Sequence, residues 1–244
     1  MGRHLVCSDL HGMYGLWEQI KADLQPDDIL YFLGDAIDRG PDGWKILKEM
    51  LADSRVQFIC GNHEDMMIEA IHNSEFNLWF YNGGQVTYRK MMDDDIDIAT
   101  DIFTEVKNLP TILTYINPNG KLFCLSHAGF TPDGGSITAL PRKDLIWDRS
   151  HFFAPWPEGM EDIYIIHGHT PIPYLIEDLE QYAHFSGEGE LEFVWEDEVS
   201  PWRYCNGHKI DIDCLSIVTG NTIVFDLDNE TFTPYYGEGI YKRG

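Results

Sequence analysis

The chain has 244 residues, with 17 Lys and Arg against 41 Asp and Glu, and a formal net charge of -24. That length can bury a sizeable core in one domain, and a hydrophobic content of 43% excludes a disordered chain. So acidic a surface argues against nucleic acid or an anionic membrane as the main partner, since both recruit Lys and Arg.

From the N-terminus, His4–Ser8 reads as a buried strand and Tyr14–Leu24 as a helix, with Leu16, Ile20 and Leu24 on one face. Ile29–Leu33 is a second strand. Trp44–Ala52 is a helix after a Gly-Pro turn, Val56–Cys60 a third strand, and Asp65–Ile71 begins another helix. Such β-α-β-α-β alternation predicts right-handed crossovers and a mainly parallel sheet. Residues 73–109 read as a helical cap, with Asp93-Asp94-Asp95 as a solvated turn and Gly83-Gly84 as a helix-ending turn. Strand patterns return at Leu122–Leu125, Ile163–Ile166, Ile210–Ile212, Thr222–Phe225 and Thr231–Tyr235, so the sheet of the second half is expected to be antiparallel or mixed.

No repeat or low-complexity linker interrupts residues 1–244, which are expected to form a single domain. From Ser150 to Trp202 there is no Lys or Arg but there are twelve acids, and residues 171–208 read as an acidic insertion. Five cysteines without a C-x-x-C pair are expected to be free; Cys7, Cys60 and Cys124 sit in apolar runs as small buried residues. Without an apolar leader or a membrane-length run, a soluble, cytoplasmic protein is expected.

The chemistry-bearing residues cluster at the ends of the expected strands. Ser8-Asp9-Leu10-His11-Gly12 follows the first strand, Gly34-Asp35-Ala36-Ile37-Asp38-Arg39-Gly40 the second, and Gly61-Asn62-His63-Glu64 the third. Ser126-His127-Ala128-Gly129 and His167-Gly168-His169-Thr170 follow two later ones. Ligands of open α/β sheets gather at strand carboxyl ends, so these clusters should converge. Asp9, His11, Asp35, Asn62, His127 and His169 form an oxygen and nitrogen donor set without thiolate, suited to Mn, Fe or Zn. Six ligands exceed one tetrahedral site; with Asp35 bridging they suit two adjacent metals. Singly, each cluster has an ordinary reading: Asp9 as a helix cap, Gly34–Gly40 as a turn, His127 or His169 as a structural histidine.

The strings S-D-L-H-G, G-D-A-I-D-R-G and G-N-H-E resemble the G-D-x-H-G, G-D-x-x-D-R-G and G-N-H-E of the calcineurin-like metallophosphoesterases, in their phosphoprotein phosphatase branch. H-A-G-F-T-P and G-H-T-P resemble bacterial and phage members. The resemblance runs from Asp9 to Asp213 and departs at Ser8, where the family has Gly, and in the acidic stretch after His169. It implies an α/β sandwich of mixed sheets flanked by helices, with the metal site at strand carboxyl ends. It also implies a dinuclear phosphatase for phosphate monoesters, most often phosphoserine or phosphothreonine in proteins, attacked in line by a metal-bridging hydroxide. Asp9, His11 and Asp35 would hold one metal, and Asp35, Asn62, His127 and His169 the other, manganese being the favoured ion. His63 would be the general acid, oriented by Asp38, and Arg39 would bind the phosphate with Asn62. Arg149, in Leu145-Ile146-Trp147-Asp148-Arg149, would be a second phosphate ligand; its plain alternative is a surface ion pair with Asp148 or Asp144.

The competing reading is a symmetrical diadenosine tetraphosphatase. Those enzymes share H-A-G and G-H-T-P, but they lack an acid at the Asp38 position and have Asp where this chain has Glu64. For His167 two readings stand open, support of the site and core packing. Asp211 and Asp213 either line the site rim or are structural. Trp147, Phe152, Phe153 and Trp156 read as core. The acidic stretch, with Glu188, Glu190 and Glu192, is expected to edge the cleft and repel polyanions.

Overall fold

A computed structural model describes residues 2–132, 140–172 and 199–240. Nine of the twelve acids between Ser150 and Trp202, Glu188, Glu190 and Glu192 among them, lie outside the described residues; Glu158, Glu161 and Asp162 are described and exposed.

The first half forms as the alternation predicts. Strands β1 (His4–Cys7), β2 (Ile29–Phe32) and β3 (Val56–Phe58) are parallel neighbours. Helices α1 (Tyr14–Asp23), α2 (Gly43–Ala52) and α3 (Asn62–Asn73) follow them in turn. Asp9 does not cap α1, which begins five residues later. After α3 come α4 (Asn77–Tyr81), α5 (Gln85–Met92) and α6 (Ile96–Lys107). The Asp93–Asp95 run between them is more than a solvated turn. The Asp94 carboxylate accepts hydrogen bonds from Trp44 Nε1 (2.8 Å) and Lys48, tying the turn to α2. Asp95 Oδ1 accepts from the Asp97 amide at 2.8 Å and caps α6.

The remaining strands are β4 (Ile112–Ile116), β5 (Leu122–Ser126), β6 (Ile163–His167), β7 (Trp202–Tyr204), β8 (Lys209–Asp211), β9 (Asn221–Asp226) and β10 (Thr231–Tyr236). Short α7 (Arg142–Trp147) precedes β6. The described residues form two five-stranded sheets, ordered β10-β9-β1-β2-β3 and β4-β5-β6-β8-β7. Both are mixed: β5, β6 and β8 run parallel, while β9, β10, β4 and β7 pair antiparallel. Thus β4 and β7 are strands that periodicity missed; β7 has three residues, too few to show a period.

Strand alternation sorts the apolar residues into layers. Leu5 and Cys7 of β1 face the α1–α3 side, with Trp17, Ile46 and Leu47, whereas Val6 points the other way. Val6 joins Leu33, Ile59, Phe123, Leu125, Ile166, Ile210 and Phe225 in the layer between the sheets. Cys124 and Ile165 face outward onto Phe130, Leu145 and Ile146. All five cysteines are free, and Cys7, Cys60 and Cys124 are buried. Among the described residues no helix is long and apolar enough to cross a membrane.

One half-buried ion pair, with Asp28 buried and the Arg3 side chain exposed, fastens residue 3 to the entry of β2. Asp28 accepts from the Arg3 amide (2.8 Å), Arg3 Nε (3.1 Å) and the Gln25 amide (2.9 Å). Burial would raise its pKa, but the hydrogen bonds from Arg3 and Gln25 outweigh it and lower the value from 3.8 to about 2. A depressed carboxyl stabilises the fold above its unfolded pKa and loses that contribution as pH falls through the folded value. Asp28→Asn should therefore cost roughly 1–2 kcal/mol at pH 7 in urea unfolding, and the difference from the parent should close between about pH 4 and pH 2.

Candidate metal centre

The carboxyl ends of β1, β2 and β3 in one sheet and of β5 and β6 in the other carry the five polar clusters, and the backbone knits them into one floor. The Asp9 amide donates to Gly34 O (3.1 Å), the His11 amide to Asp35 O (3.0 Å) and Gly40 to His11 O (3.1 Å). Across the sheets, Gly168 donates to His127 O (2.9 Å) and the His169 amide to Asp9 Oδ2 (3.1 Å). Six of the ten predicted site residues take left-handed backbone: Asp9 (φ 53°), His11 (41°), Asp35 (60°), Asp38 (71°), Arg39 (64°) and His169 (69°). Non-glycine residues rarely adopt that region, and its concentration here marks strain kept at a functional site. Close approach explains two glycines. A Cβ on Gly61 would lie 2.2 Å from Asp35 Oδ1, and one on Gly168 2.1 Å from Asp9 Oδ2.

At the floor's centre, acceptors face acceptors. His127 Nδ1 donates to Leu33 O at 2.7 Å, so its Nε2 is a bare lone pair. That Nε2 lies 2.8 Å from Asn62 Oδ1, 3.2 Å from His169 Nδ1 and 3.5 Å from Asp35 Oδ1. His169 Nδ1 is also 2.9 Å from Asn62 Oδ1. On the other side, His11 Nδ1 donates to Ile37 O at 3.0 Å and leaves an unprotonated Nε2 3.5 Å from Asp35 Oδ2 and 3.9 Å from Asp9 Oδ1. Asp9 Oδ1 is buried and has no hydrogen-bond partner among the described residues. Asp35 therefore turns one oxygen toward each group. Donor atoms of Asp9, Asp35 and His127, and of His11, Asp35 and His63, lie within 4.8 Å of one another.

The electrostatics point the same way. Burial, followed by the charge of Asp213, pushes the Asp9 carboxyl far up; burial, followed by Asp9 and Glu64, does the same to Asp35. Burial, helped by Arg39, pushes His11 far down, and burial takes His127 to about 3. A bound cation would favour the charged form of these carboxylates and the neutral form of these imidazoles. Hard-to-borderline divalent ions fit this donor set and would supply that charge.

Beside this floor sits the second expected constellation. His63 Nδ1 lies 2.7 Å from Asp38 Oδ2, which also accepts from Trp79 Nε1 at 2.8 Å. Burial raises the Asp38 carboxyl to about 7, opposed by hydrogen bonds from Thr87 and Trp79. The Arg39 guanidinium spans both groups, with Nη1 2.8 Å from His11 Nε2 and Nη2 3.0 Å from His63 Nε2. Its amide donates to Gly83 O at 3.3 Å, and a Cβ on Gly83 would press on the Arg39 side chain. The Gly83-Gly84 turn is thus a wall of the site and not merely a helix end. Glu64, fully buried, accepts from the amides of Asp35 (2.8 Å), Ala36 (3.0 Å) and Gly61 (3.0 Å), locking two ligand loops together.

Arg149 lies at the edge. Asp213, Asp35 and Asp9 all feel its charge, and among the described residues it makes no ion pair with Asp144 or Asp148. Trp147 is half-buried and packs against two of the hydrophobic clusters, as the core reading expects, and it also meets His169 edge-on at 6.1 Å. Asp211 and Asp213 are buried, not at a rim. The sequence gives Trp79 and Thr87 no site role and Gly83 only that of a helix-ending turn; the Gly-Gly pair after an aromatic helix is the one signal of this wall.

A model of the calcineurin-like phosphoesterase family matches residues 2–220. The chain belongs to that family. It is 33% identical over 181 residues to serine/threonine-protein phosphatase 2 of Salmonella typhimurium, covering 70% of this chain and 82% of the relative. A symmetrical bis(5'-nucleosyl)-tetraphosphatase of Buchnera aphidicola is 36% identical over only 72 residues, 27% of this chain and 25% of that one. Its fold is shared with a protein serine/threonine phosphatase from Saccharomyces cerevisiae, at TM-score 0.56 and 13% identity over 97% of this chain and 80% of that chain.

For a calcineurin-like phosphoesterase the crowded floor predicts one sharp sensitivity. Gly168→Ala, whose Cβ must displace Asp9 Oδ2 or Ser8 Oγ (2.3 Å), should weaken divalent-metal binding at least about tenfold in calorimetric titration. Unchanged affinity would show that the floor yields freely.

Proposed function

We propose that this chain is a dinuclear-metal-dependent phosphatase acting on phosphate monoesters, with phosphoserine and phosphothreonine in proteins as the leading substrates. The observation that carries this reading is the Arg39 guanidinium reaching both His11 and His63. It sets an anion-binding fork between a ligand cluster and an imidazole–carboxylate pair, the three parts that phosphoester hydrolysis needs.

In this reading Asp9, His11 and Asp35 hold one ion, and Asp35, Asn62, His127 and His169 the other. Manganese suits these oxygen and nitrogen donors, as iron and zinc would. When bound, two such cations activate water as a nucleophile and neutralise the phosphate oxygens. The chain's own residues do the rest. Arg39 turns its fork from the two imidazoles to the phosphate oxygens, and Arg149 approaches from the exposed edge, with Asn62 below. Guanidinium binds phosphate in a bidentate way that lysine cannot. Once Arg39 leaves His63 Nε2, that nitrogen can carry a proton and give it to the departing alkoxide, while Asp38 fixes the ring through Nδ1. Trp79 and Thr87 hold the loop of Asp38, whose amide donates to Thr87 Oγ1 at 2.9 Å. The helical cap over 73–109 supplies this support within what we read as a single domain.

A phosphomonoester is favoured over a dinucleoside polyphosphate because Asp38 is present and engaged with His63. His63→Asn should keep its metals by elemental analysis and lose about 10²–10⁴ in kcat on a phosphopeptide; a rate within a few-fold of the parent would end the general-acid assignment. The class is tested by offering manganese-loaded protein a phosphopeptide, diadenosine tetraphosphate and p-nitrophenyl phosphate. Highest kcat/KM on a monoester is expected, and clear preference for the dinucleotide would reverse the ranking.

A further inference from the structure

A second polar network lies behind the metal ligands, and the reaction as proposed makes no use of it. Its centre is Lys209, fully buried, whose Nζ donates to Thr131 Oγ1 at 2.7 Å and to the His151 main-chain oxygen at 2.6 Å. Among the described residues it forms no ion pair with a carboxylate. Burying an ammonium costs stability, and an apolar side chain of similar length would pack without that cost. Its two acceptors stand where that cost has a use. Thr131 lies four residues after His127, and the His151 carbonyl lies two after Arg149.

The ring of His151 is tied as well. His167 Nδ1 donates to Gly168 O at 3.0 Å, so its Nε2 accepts the Tyr204 hydroxyl proton at 2.7 Å. The Tyr204 oxygen then accepts from His151 Nδ1 at 3.1 Å. Gly129 seats between the two imidazoles: a Cβ there would lie 2.9 Å from His151 Cε1 and from His167 Cδ2. The stretch from Arg149 to His151 is clamped from its other side by Asp148, which accepts from the amides of Ser150 (3.0 Å) and His151 (3.2 Å). Arg149 and Ser150 are exposed while His151 is buried, so the anchored residue lies two positions from the exposed arginine. His167 is thereby placed: it supports the site through Tyr204 and holds no metal position in the reading above.

We propose that Lys209, with Tyr204 coupling His151 to His167, is a positioning residue that holds the Arg149 turn over the phosphate in register with the His127 and His169 loops. The proposal rests on the reading that Arg149 binds phosphate. Lys209 never meets substrate and acts only through the main chain of the arginine's turn. Even with burial lowering its pKa to about 8, the ammonium remains mostly charged at neutral pH and keeps its donors.

The test is a double-mutant cycle on the manganese-loaded 244-residue chain, reading the inhibition constant of inorganic phosphate against p-nitrophenyl phosphate. Loss of folded protein lowers kcat per mole and leaves that constant unmoved, so the readout separates positioning from stability. Lys209→Met should weaken phosphate about tenfold in the parent and less than about twofold in the Arg149→Ala background, the non-additivity of residues acting as one unit. Tyr204→Phe, which removes one hydroxyl, should follow the same pattern more weakly and serves if Lys209→Met does not fold. Equal losses in both backgrounds, or no loss from either variant while Arg149→Ala weakens phosphate, would overturn the positioning role alone. An unchanged constant in Arg149→Ala itself would instead remove the reading beneath it, and the proposal with it.

Discussion

Lone pairs meeting lone pairs in a buried space are the constraint on which this structure turns. His127 Nε2, Asn62 Oδ1 and His169 Nδ1 crowd within 3.2 Å of one another, and the buried carboxylates of Asp9 and Asp35 stand beside them. In water each group would be solvated; here each is held by backbone it cannot leave. Leu33 O and Ile37 O fix the tautomers of His127 and His11, and both rings are thereby aimed inward. Positive charge added to such a floor would relieve this crowding. That relief explains why the chain spends left-handed backbone at six positions and close glycine contacts at Gly61 and Gly168 to build it.

The fold meets the constraint by packing two sheets face to face, so that the carboxyl ends of their strands share one end of the sandwich. Three parallel strands of one sheet and two of the other deliver five loops to one place, and the layer of Val6, Leu33, Ile59, Phe123, Leu125 and Ile166 between them sets their spacing. Glu64 shows how rigid that delivery is: one carboxylate takes three amides from two loops. Helices α4 and α5 complete the wall, Trp79 through Asp38 and Gly83 through Arg39.

The residues we propose as ligands stand out in the sequence because each is short-range chemistry: an Asp, Asn or His near a glycine at the end of an apolar run. The parallel core was legible for the same reason, as apolar runs alternate with helical periods. Their partners were not. Trp79 sits in a helix whose pattern says only that one face is buried, and its indole reaches Asp38 across 41 positions of sequence. Asp94 looked like one acid of a solvated run until the fold set Trp44 and Lys48 against it. Strand β4 has the composition of a strand, but its pairing with β5 depends on a turn at residues 117–121 that carries no apolar signal. Lys209 is the plainest case. A lysine before an Ile-Asp-Ile-Asp string reads as exposed, and only burial between β6, β7 and the Arg149 turn shows otherwise.

The charge of -24 divides once the site is built. Asp9, Asp35 and Asp38 are buried carboxylates whose pKa values are raised, and they contribute little to the surface field. The surface acidity comes from elsewhere in the chain and acts on what approaches, not on the reaction floor. The shared position of Asp35 is the claim from which the rest follows, and metal analysis of Asp35→Asn tests it most directly. The parent should take up two divalent ions per chain from manganese buffer, and the variant, losing a carboxylate common to both sites, should hold fewer than one at the same free metal concentration. Two ions retained by the variant would contradict a bridging Asp35.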